Sequence, residues 1–335
     1  MPKFNLEKLS QEDYDLLRLC ASPNRTIALD TQHDIAKALE LPLREGVMSG
    51  PITDGIFETI PFTPGVSVEW PLDLLQPGTE KDYVAYTVPN NGYIPLRNVE
   101  SDYVRIATYN VGNAIDWSLR YARDARWDIV TRALEVMEAG VIKKINDDAF
   151  HVLLAAAVDR NIVVYDSDAA AGQFTKRLVS LGKNVMRRNG GGNSSSVNRR
   201  KMTDIIFSPE HLEDIRNWGV DQVDEVTRRE IYTSDDGKIN RIFGVNLHDF
   251  DEFGVGQEYQ LYYTGVLGAS NAASDEEISL GLDLSRSNSF VMPMVQPFEM
   301  FEDDSLHRHN RHGWYGRGEW GFGALDGRNI VLLSA

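Results

Sequence analysis

The sequence has 335 residues, of which 42% are hydrophobic and 25% are charged, and this composition excludes wholesale disorder. Its 34 Lys and Arg residues against 50 Asp and Glu residues give a net charge of −16, which argues against a general nucleic-acid binder because phosphates repel an acidic surface. The single cysteine, Cys20, excludes an internal disulfide and multi-cysteine metal sites, and no apolar run reaches the roughly 18 residues of a membrane span.

The first 65 residues carry too few core-forming side chains to fold alone. A short amphipathic helix is predicted over residues 6–21, and one helical fragment over 34–41. Between residues 22 and 65 prolines and glycines recur without an apolar period, which is typical of chain that builds no core of its own. We interpret residues 1–60 as an extended arm that needs a surface to lie on, with a disordered tail as the alternative.

Residues 61–106 are predicted to form a long β-hairpin. Val66, Val68 and Trp70 alternate with polar neighbours, and the same pattern recurs in residues 83–88. Turn signals rich in proline, asparagine and glycine separate these strands. Because the strands hold few large aliphatic side chains, we expect the hairpin to project from the core.

The strongest helical pattern in the sequence runs from about Asn113 to Asn146. Its apolar residues recur at spacings of three, four and seven, namely Ile115, Leu119, Ala122, Ile129, Ala133, Val136 and Gly140. About 30 residues at a rise of 1.5 Å predict a rod of roughly 45 Å. A second helix, rich in alanine and leucine, is expected from Asn146 through Val158.

The second half of the sequence alternates short strands and helices. A helix capped by Asp168 is expected to end at Gly182, and another, with Pro209 in its first turn, at Trp218. The predicted strands are 162–165, 204–207, 259–266, 290–301, 313–323 and 329–333, and a hairpin is predicted over 231–245. Residues 187–201 are predicted to be a flexible loop, because glycine, serine and asparagine fill its middle.

Signals of catalysis are weak throughout the sequence. The run His307–His312 holds three histidines, but Arg308 and Arg311 among them would repel a metal cation. The run His248–Glu252 places three carboxylates beside a histidine at a spacing that matches no known ligand motif. We therefore predict no enzyme, no cofactor and no catalytic or metal-binding residue, with a metal-dependent hydrolase at one of these runs as the alternative from another class.

The order of these elements resembles that of the major capsid proteins of tailed bacteriophages, which have the Hong Kong 97-type fold. Residues 108–117 are similar to the start of that family's spine helix, and residues 133–140 to its second half. Residues 203–218 resemble the strand and helix of the axial domain, while 298–301 and 313–321 resemble the terminal strands. The resemblance covers about residues 25–335 and depends on the collinear order rather than on any one motif.

The resemblance implies an α+β fold with five consecutive parts. They are an N-terminal arm (1–60), an extended β-hairpin or E-loop (61–106), a peripheral domain with a long spine helix (107–149), a mixed α/β axial domain (150–285), and terminal strands that return to the peripheral domain (286–335).

The resemblance also implies a structural subunit that self-assembles into the pentamers and hexamers of an icosahedral shell around double-stranded DNA. Such a virion protein is assembled in the cytoplasm of a bacterial host, binds no membrane and makes no specific contact with nucleic acid. Its principal partner is itself, and scaffold, portal and decoration proteins stay open as further partners. An encapsulin-like nanocompartment shell of the same fold is the nearest alternative, and a tail-tube protein is a weaker one.

The candidate inter-subunit contacts fall in two places. The E-loop offers Trp70, Lys81, Tyr83 and Tyr86, because its strands need a partner surface. The 187–201 loop offers five basic residues and no acidic one, namely Arg187, Arg188, Arg199, Arg200 and Lys201. Either this loop is a solvated tip, or it meets acidic surface on an adjacent subunit and offsets the repulsion between copies of charge −16.

Overall fold

The computed structural model describes residues 52–71, 103–118, 120, 127–189, 199–218, 241–269 and 277–335. They divide into two compact units. The first holds the described residues of 1–68, 105–149 and 291–323, and the second those of 69–104, 150–290 and 324–335. Within these ranges no helix combines the length and apolarity that a membrane span requires.

The first unit is built on a sheet with the strand order β1-β10-β11-β4, and β12 pairs with β10. The strands are β1 (Glu58–Pro61), β4 (Tyr109–Ser118), β10 (Phe290–Glu302), β11 (Arg311–Trp320) and β12 (Gly323–Ala324). β11 pairs antiparallel with both β10 and β4, whereas β1 runs parallel to β10. Short 3₁₀ turns lie at Ile52–Gly55 and Asp304–His309. The predicted strands at 290–301 and 313–323 are confirmed.

The helix expected to begin at Asn113 was a wrong prediction, because residues 109–118 are strand β4. Every residue of β4 pairs with β11, from Tyr109 opposite Trp320 to Ser118 opposite Arg311. Val111 and Trp117 are buried on one face of the strand, so the apolar residues follow a period of two rather than that of a helix.

One continuous helix, α1 (Trp127–Arg160), replaces the two helices expected to meet at Asn146. Its buried face repeats every four residues, as Met137, Val141, Ile145, Ala149 and Leu153. The apolar residues predicted to line the helix, such as Val136, lie one position before the buried ones, and Val136 is 52% exposed. The helix continues past Asn146, and Asp148 lies inside it. Its carboxylate accepts hydrogen bonds from Tyr109 and Lys144, each at 2.7 Å.

The second unit is built on a six-stranded sheet with the order β5-β13-β9-β6-β8-β7. Its strands are β5 (Val163–Tyr165), β6 (Asp204–Phe207), β7 (Arg241–Ile242), β8 (Val245–Asp249), β9 (Ile278–Leu282) and β13 (Ile330–Ser334). A separate two-stranded sheet joins β2 (Glu69–Pro71) to β3 (Tyr103–Arg105). The strands predicted at 162–165, 204–207 and 329–333 are confirmed. Most of the hairpin predicted over 231–245 lies outside the described residues.

Two helices pack on the six-stranded sheet. Helix α3 (Pro209–Asn217) confirms its prediction, with the Ser208 hydroxyl accepting from the His211 amide at its start. Helix α2 (Lys176–Asn189) differs from the expected helix at both ends. It begins after Thr175, whose hydroxyl accepts from the Leu178 amide, while Asp168 pairs with Arg177 instead of capping.

Gly182 lies inside α2 and does not end it. A Cβ at this position would lie 2.7 Å from a methyl carbon of Leu333 on β13. The glycine therefore serves the close approach of helix and strand, rather than a left-handed cap.

Residues 258–266 are helical, which corrects the strand predicted over 259–266. An α-helical turn, α4 (Glu258–Leu261), continues as a π-helical turn at Tyr262–Val266. Tyr259 and Tyr263, four residues apart, are buried, whereas Leu261 between them is 58% exposed. A strand would have placed all three on one face.

The C-terminal strands do not return to one place, contrary to the single segment expected over 286–335. Residues 291–323 belong to the first unit, while 324–335 belong to the second. There β13 lies between β5 and β9, parallel to the first and antiparallel to the second. All five residues of β13 are buried, so this apolar strand lies in the interior of the sheet.

Candidate functional site

The base of the expected E-loop is a pair of adjacent strands. β2 and β3 pair with each other, and the Ile106 amide donates to the Val68 carbonyl at 3.1 Å. The two ends of the segment 72–102 are therefore held side by side. Trp70 lies half-buried on this stem. Lys81, Tyr83 and Tyr86 lie outside the described residues.

The outer face of the first unit's sheet combines small residues with an aromatic and basic group. On β4 that face carries Gly112 and Ala114, opposite Arg317 and Tyr315 of β11. Tyr315 stacks on Phe301 with ring centroids 5.4 Å apart, and the Arg317 guanidinium lies 5.0 Å from the Phe301 ring centre. Because β4 is the last strand of this sheet within the described residues, the face includes an edge strand of ten residues.

A basic surface lies at one end of the six-stranded sheet. Asp204 of β6 and Ile330 of β13 both pair with Leu282 of β9, so the segments 199–203 and 283–289 meet at this end. Helix α2 contacts the Gly327–Asn329 turn, which precedes β13. We name this surface the basic edge; its cations are Arg187, Arg188, Arg199, Lys201 and Arg286.

Arg200 differs from the other predicted contact residues because it is only 8% exposed. Its guanidinium donates to Asp326 at 2.7 Å, and Arg328 donates to the same carboxylate through Nε, also at 2.7 Å. Burial lowers the pKa of Arg200, and the charges of Arg328 and Arg286 lower it further, against the opposing effect of Asp326. Arg200 therefore supports the basic edge from beneath and is not available to a partner.

The opposite end of the same sheet is acidic. Phe207 of β6 and Asp249 of β8 pair at this end, so α3 and the segment after β8 both start there. We name the acidic edge after its exposed carboxylates, Glu210, Glu213, Asp249 and Asp251. Burial raises the pKa of nearby Glu277, and the charges of Glu210 and Asp214 raise it further.

A Ser-His-Glu arrangement lies beneath the acidic edge. His211 Nδ1 lies 3.0 Å from the Ser279 hydroxyl and Nε2 lies 3.2 Å from the Glu277 carboxylate. Burial lowers the pKa of His211 to about 4, so the ring is neutral at pH 7. Ser279 and His211 are both buried, so a substrate cannot reach the hydroxyl in this structure. The arrangement links α3 to β9 and has the role of a buried polar contact.

The two runs that carried the hydrolase alternative do not form a metal site in the part of the chain described. No three His, Cys, Asp or Glu side chains converge among those residues. His312 is buried with its ring centre 5.1 Å from that of Trp117 and 5.3 Å from that of Trp314. His248 lies 3.0 Å from Asp204 across two neighbouring strands.

Sequence reasoning found four of the five cations of the basic edge, but it missed Arg286 and the ion pairs that Arg200 and Arg328 form with Asp326. Arg286, Arg328 and Asp326 lie far along the chain from Arg200, and only the pairing of β9 with β6 and β13 brings them together. No local pattern could have found them. Arg187 and Arg188 form the last turn of α2 rather than the start of a loop.

No protein-family model matches the sequence, and no curated protein is similar to it. Solved structures are similar in fold. A chain from Microbacterium phage Oxtober96 has a TM-score of 0.58 at 10% identity, over 86% of this chain and 91% of that one. The capsid of an empty GTA particle gives 0.55 at 11% identity, over 85% and 90%. The capsid of cyanophage P-SCSP1u gives 0.54 at 11% identity, over 85% and 88%. The expected α+β capsid fold is confirmed.

Proposed function

We propose that the chain is a major capsid protein, a structural subunit that assembles into the pentamers and hexamers of a shell enclosing double-stranded DNA. The observation that carries the proposal is the fold match to phage and GTA capsids over 85% of this chain. The match spans about nine-tenths of those capsid chains, so it concerns a whole shell subunit rather than a shared fragment.

The parts of the subunit follow from this proposal. Residues 1–51 form the N-terminal arm, which is shorter than the expected 1–60 because Phe57 is buried and β1 pairs with β10 of the same chain. Residues 61–106 form the E-loop, and the arm and the part of the E-loop between β2 and β3 each lie on a neighbouring subunit in the shell. Helix α1 is the spine helix of the peripheral domain, and the six-stranded sheet forms the axial domain. The chain assembles in a bacterial host cytoplasm into a virion, with scaffold, portal and decoration proteins as further partners. An encapsulin-like shell has no observation in its favour here.

We predict that the purified chain forms rings or closed shells. The sequence of residues 1–51 holds too few core-forming side chains to fold alone, so we expect this segment to gain contacts when copies associate. Negative-stain electron microscopy and mass photometry across a concentration series would measure the assembly. A species that stays monomeric at every concentration, including in the presence of a phage scaffold protein, would contradict the proposal.

We also predict that the E-loop contributes to assembly rather than to folding. Because β2 and β3 hold its ends side by side, residues 72–98 can be replaced by a tight turn. The shortened chain should unfold cooperatively at nearly the wild-type temperature yet make no shells. Calorimetry and electron microscopy of the same sample test both halves of this statement. Loss of the cooperative transition would mean that the hairpin belongs to the core.

A further inference from the structure

The second unit has opposite charge at the two ends of one short sheet. β6 is four residues long, and it runs from the basic edge to the acidic edge. At about 3.3 Å per residue the strand separates the two ends by little more than 10 Å. The edges project in opposite directions along the strand, so a single copy cannot bring them into contact.

Among the described residues, the basic edge carries more positive than negative charge. Asp326 and Asp283 are two carboxylates that lie at this edge. Asp326 is shared by the buried Arg200 and Arg328, and Asp283 accepts from the Lys201 amide and from Ser285. Arg187 and Arg188 are exposed in the last turn of α2, and Arg199 and Lys201 are exposed on either side of the buried Arg200. Residues 190–198, which link the two parts of this edge, contain no charged residue.

The acidic edge has the opposite balance of charge among the described residues. Arg177 pairs there with Asp166 and Asp168, and Arg216 pairs with Glu213. Asp249 and Asp251 are exposed, and Val255 beside them is an exposed apolar side chain. An exposed acidic surface is complementary in charge to the basic edge, and complementary potentials favour the encounter of two surfaces.

We propose that the basic edge of one copy binds the acidic edge of the next copy, in a head-to-tail contact that repeats around each ring. The partner is a second copy of this chain, so this inference rests on the proposed function and specifies one of its contacts. Two different surfaces joined by a rotation form a ring when the rotation closes. In a chain of net charge −16, such a contact also offsets the repulsion between neighbouring copies.

The proposal is tested by reversing each edge separately. One variant carries R187E, R188E, R199E and K201E, and so has two acidic edges. The other carries E210K, E213K, D249K and D251K, and so has two basic edges. We expect each variant alone to lose ring formation by about tenfold or more at about 0.1 M salt, because like charges then face each other at every contact.

Mixing the two variants in equal amounts provides a matched control. Unlike variants attract and like variants repel, so they must alternate around a ring, and only rings with an even number of subunits close. We therefore expect the mixture to regain six-membered rings but not five-membered ones, counted by electron microscopy. Recovery in the mixture also shows that neither variant is misfolded.

Neutral variants keep the test decisive if the reversed chains fold poorly. With Arg187, Arg188, Arg199 and Lys201 changed to Gln, rings should be fewer at about 0.1 M salt, and the difference in ring number from wild type should shrink at about 1 M salt.

Assembly of the Gln variant equal to that of wild type at low salt would overturn the proposal. So would shells that form normally but no longer retain DNA, since the basic edge would then face nucleic acid. A wild-type chain that never assembles counts against the proposed function itself, whereas normal assembly of all variants counts against the edge contact alone.

Discussion

Replacing Asp326 with alanine is expected to lower the free energy of unfolding of the unassembled subunit by about 3–5 kcal/mol. The Asp326 carboxylate is the shared partner of Arg200 and Arg328, whose side chains are buried. Without it two buried cations lie close together and lose the carboxylate that they share. Asp326 Oδ1 also accepts from the Arg328 amide, so the turn before β13 loses its cap. Urea unfolding at a subunit concentration below assembly measures the change.

Asp168 provides the control for this prediction. Its carboxylate also pairs with an arginine, Arg177, but its side chain is 73% exposed, against 18% for Asp326. An exposed ion pair contributes about 0–1 kcal/mol, so Asp168→Ala should change stability little. If Asp326→Ala costs no more than Asp168→Ala, then water reaches the Arg200 and Arg328 guanidinium groups, and the support of the basic edge is not a buried network.

Phe150→Ala is expected to cost about 3–5 kcal/mol of stability through the cavity it leaves. Phe150 of α1 is fully buried, with ring centroids 4.8 Å from Phe250, 5.6 Å from Phe253 and 4.9 Å from Tyr259. Three aromatic rings would lose a neighbour at once. Because these rings hold residues 250–259 against the helix, we also expect hydrogen exchange in that segment to become faster.

Two further substitutions in the same helix separate packing from helix propensity. Phe150→Leu keeps most of the volume and should cost less than Phe150→Ala. Val136→Ala removes an exposed apolar side chain and should lie within about 0.5 kcal/mol of wild type. If Val136→Ala were as costly as Phe150→Ala, then Val136 rather than Met137 would lie on the buried face of α1.

Substitution of Phe150 or Asp326 should also affect assembly, because each residue supports one of the two charged edges. Asp326 neutralises the cations beneath the basic edge, and the rings around Phe150 fix the segment that follows the acidic residues Asp249 and Asp251. Either substitution should therefore reduce ring formation more than its stability loss alone accounts for. Rings counted at a temperature where both variants remain folded would test this.

Elements with a strong local signal could be predicted from the sequence. The run Asp204–Phe207 is short, apolar and bounded by polar residues, and it is a fully buried strand. Ser208 and Pro209 mark the start of α3, because a hydroxyl cap and a fixed backbone angle favour helix whatever the tertiary context. The strand at β10 and the terminal strand β13 were predictable because each holds a sustained run of apolar residues, and in β13 the run begins with the β-branched residues Ile330 and Val331.

Only the tertiary structure decided the elements whose local patterns allow two solutions. The apolar residues of 109–118 fit a helix or a strand, and pairing with β11, some 200 residues later in the chain, selected the strand. Residues 259–266 are rich in tyrosine, as many strands are, yet the burial of Tyr259 and Tyr263 selected a helical turn, with Tyr259 packed on Phe150. The basic and acidic edges arise in the same way, because β9 brings together segments that share no local signal. Composition and spacing by themselves determined the acidic charge and the collinear order of elements that the capsid fold shares. The two charged edges depend on long-range strand register, which no local interaction encodes.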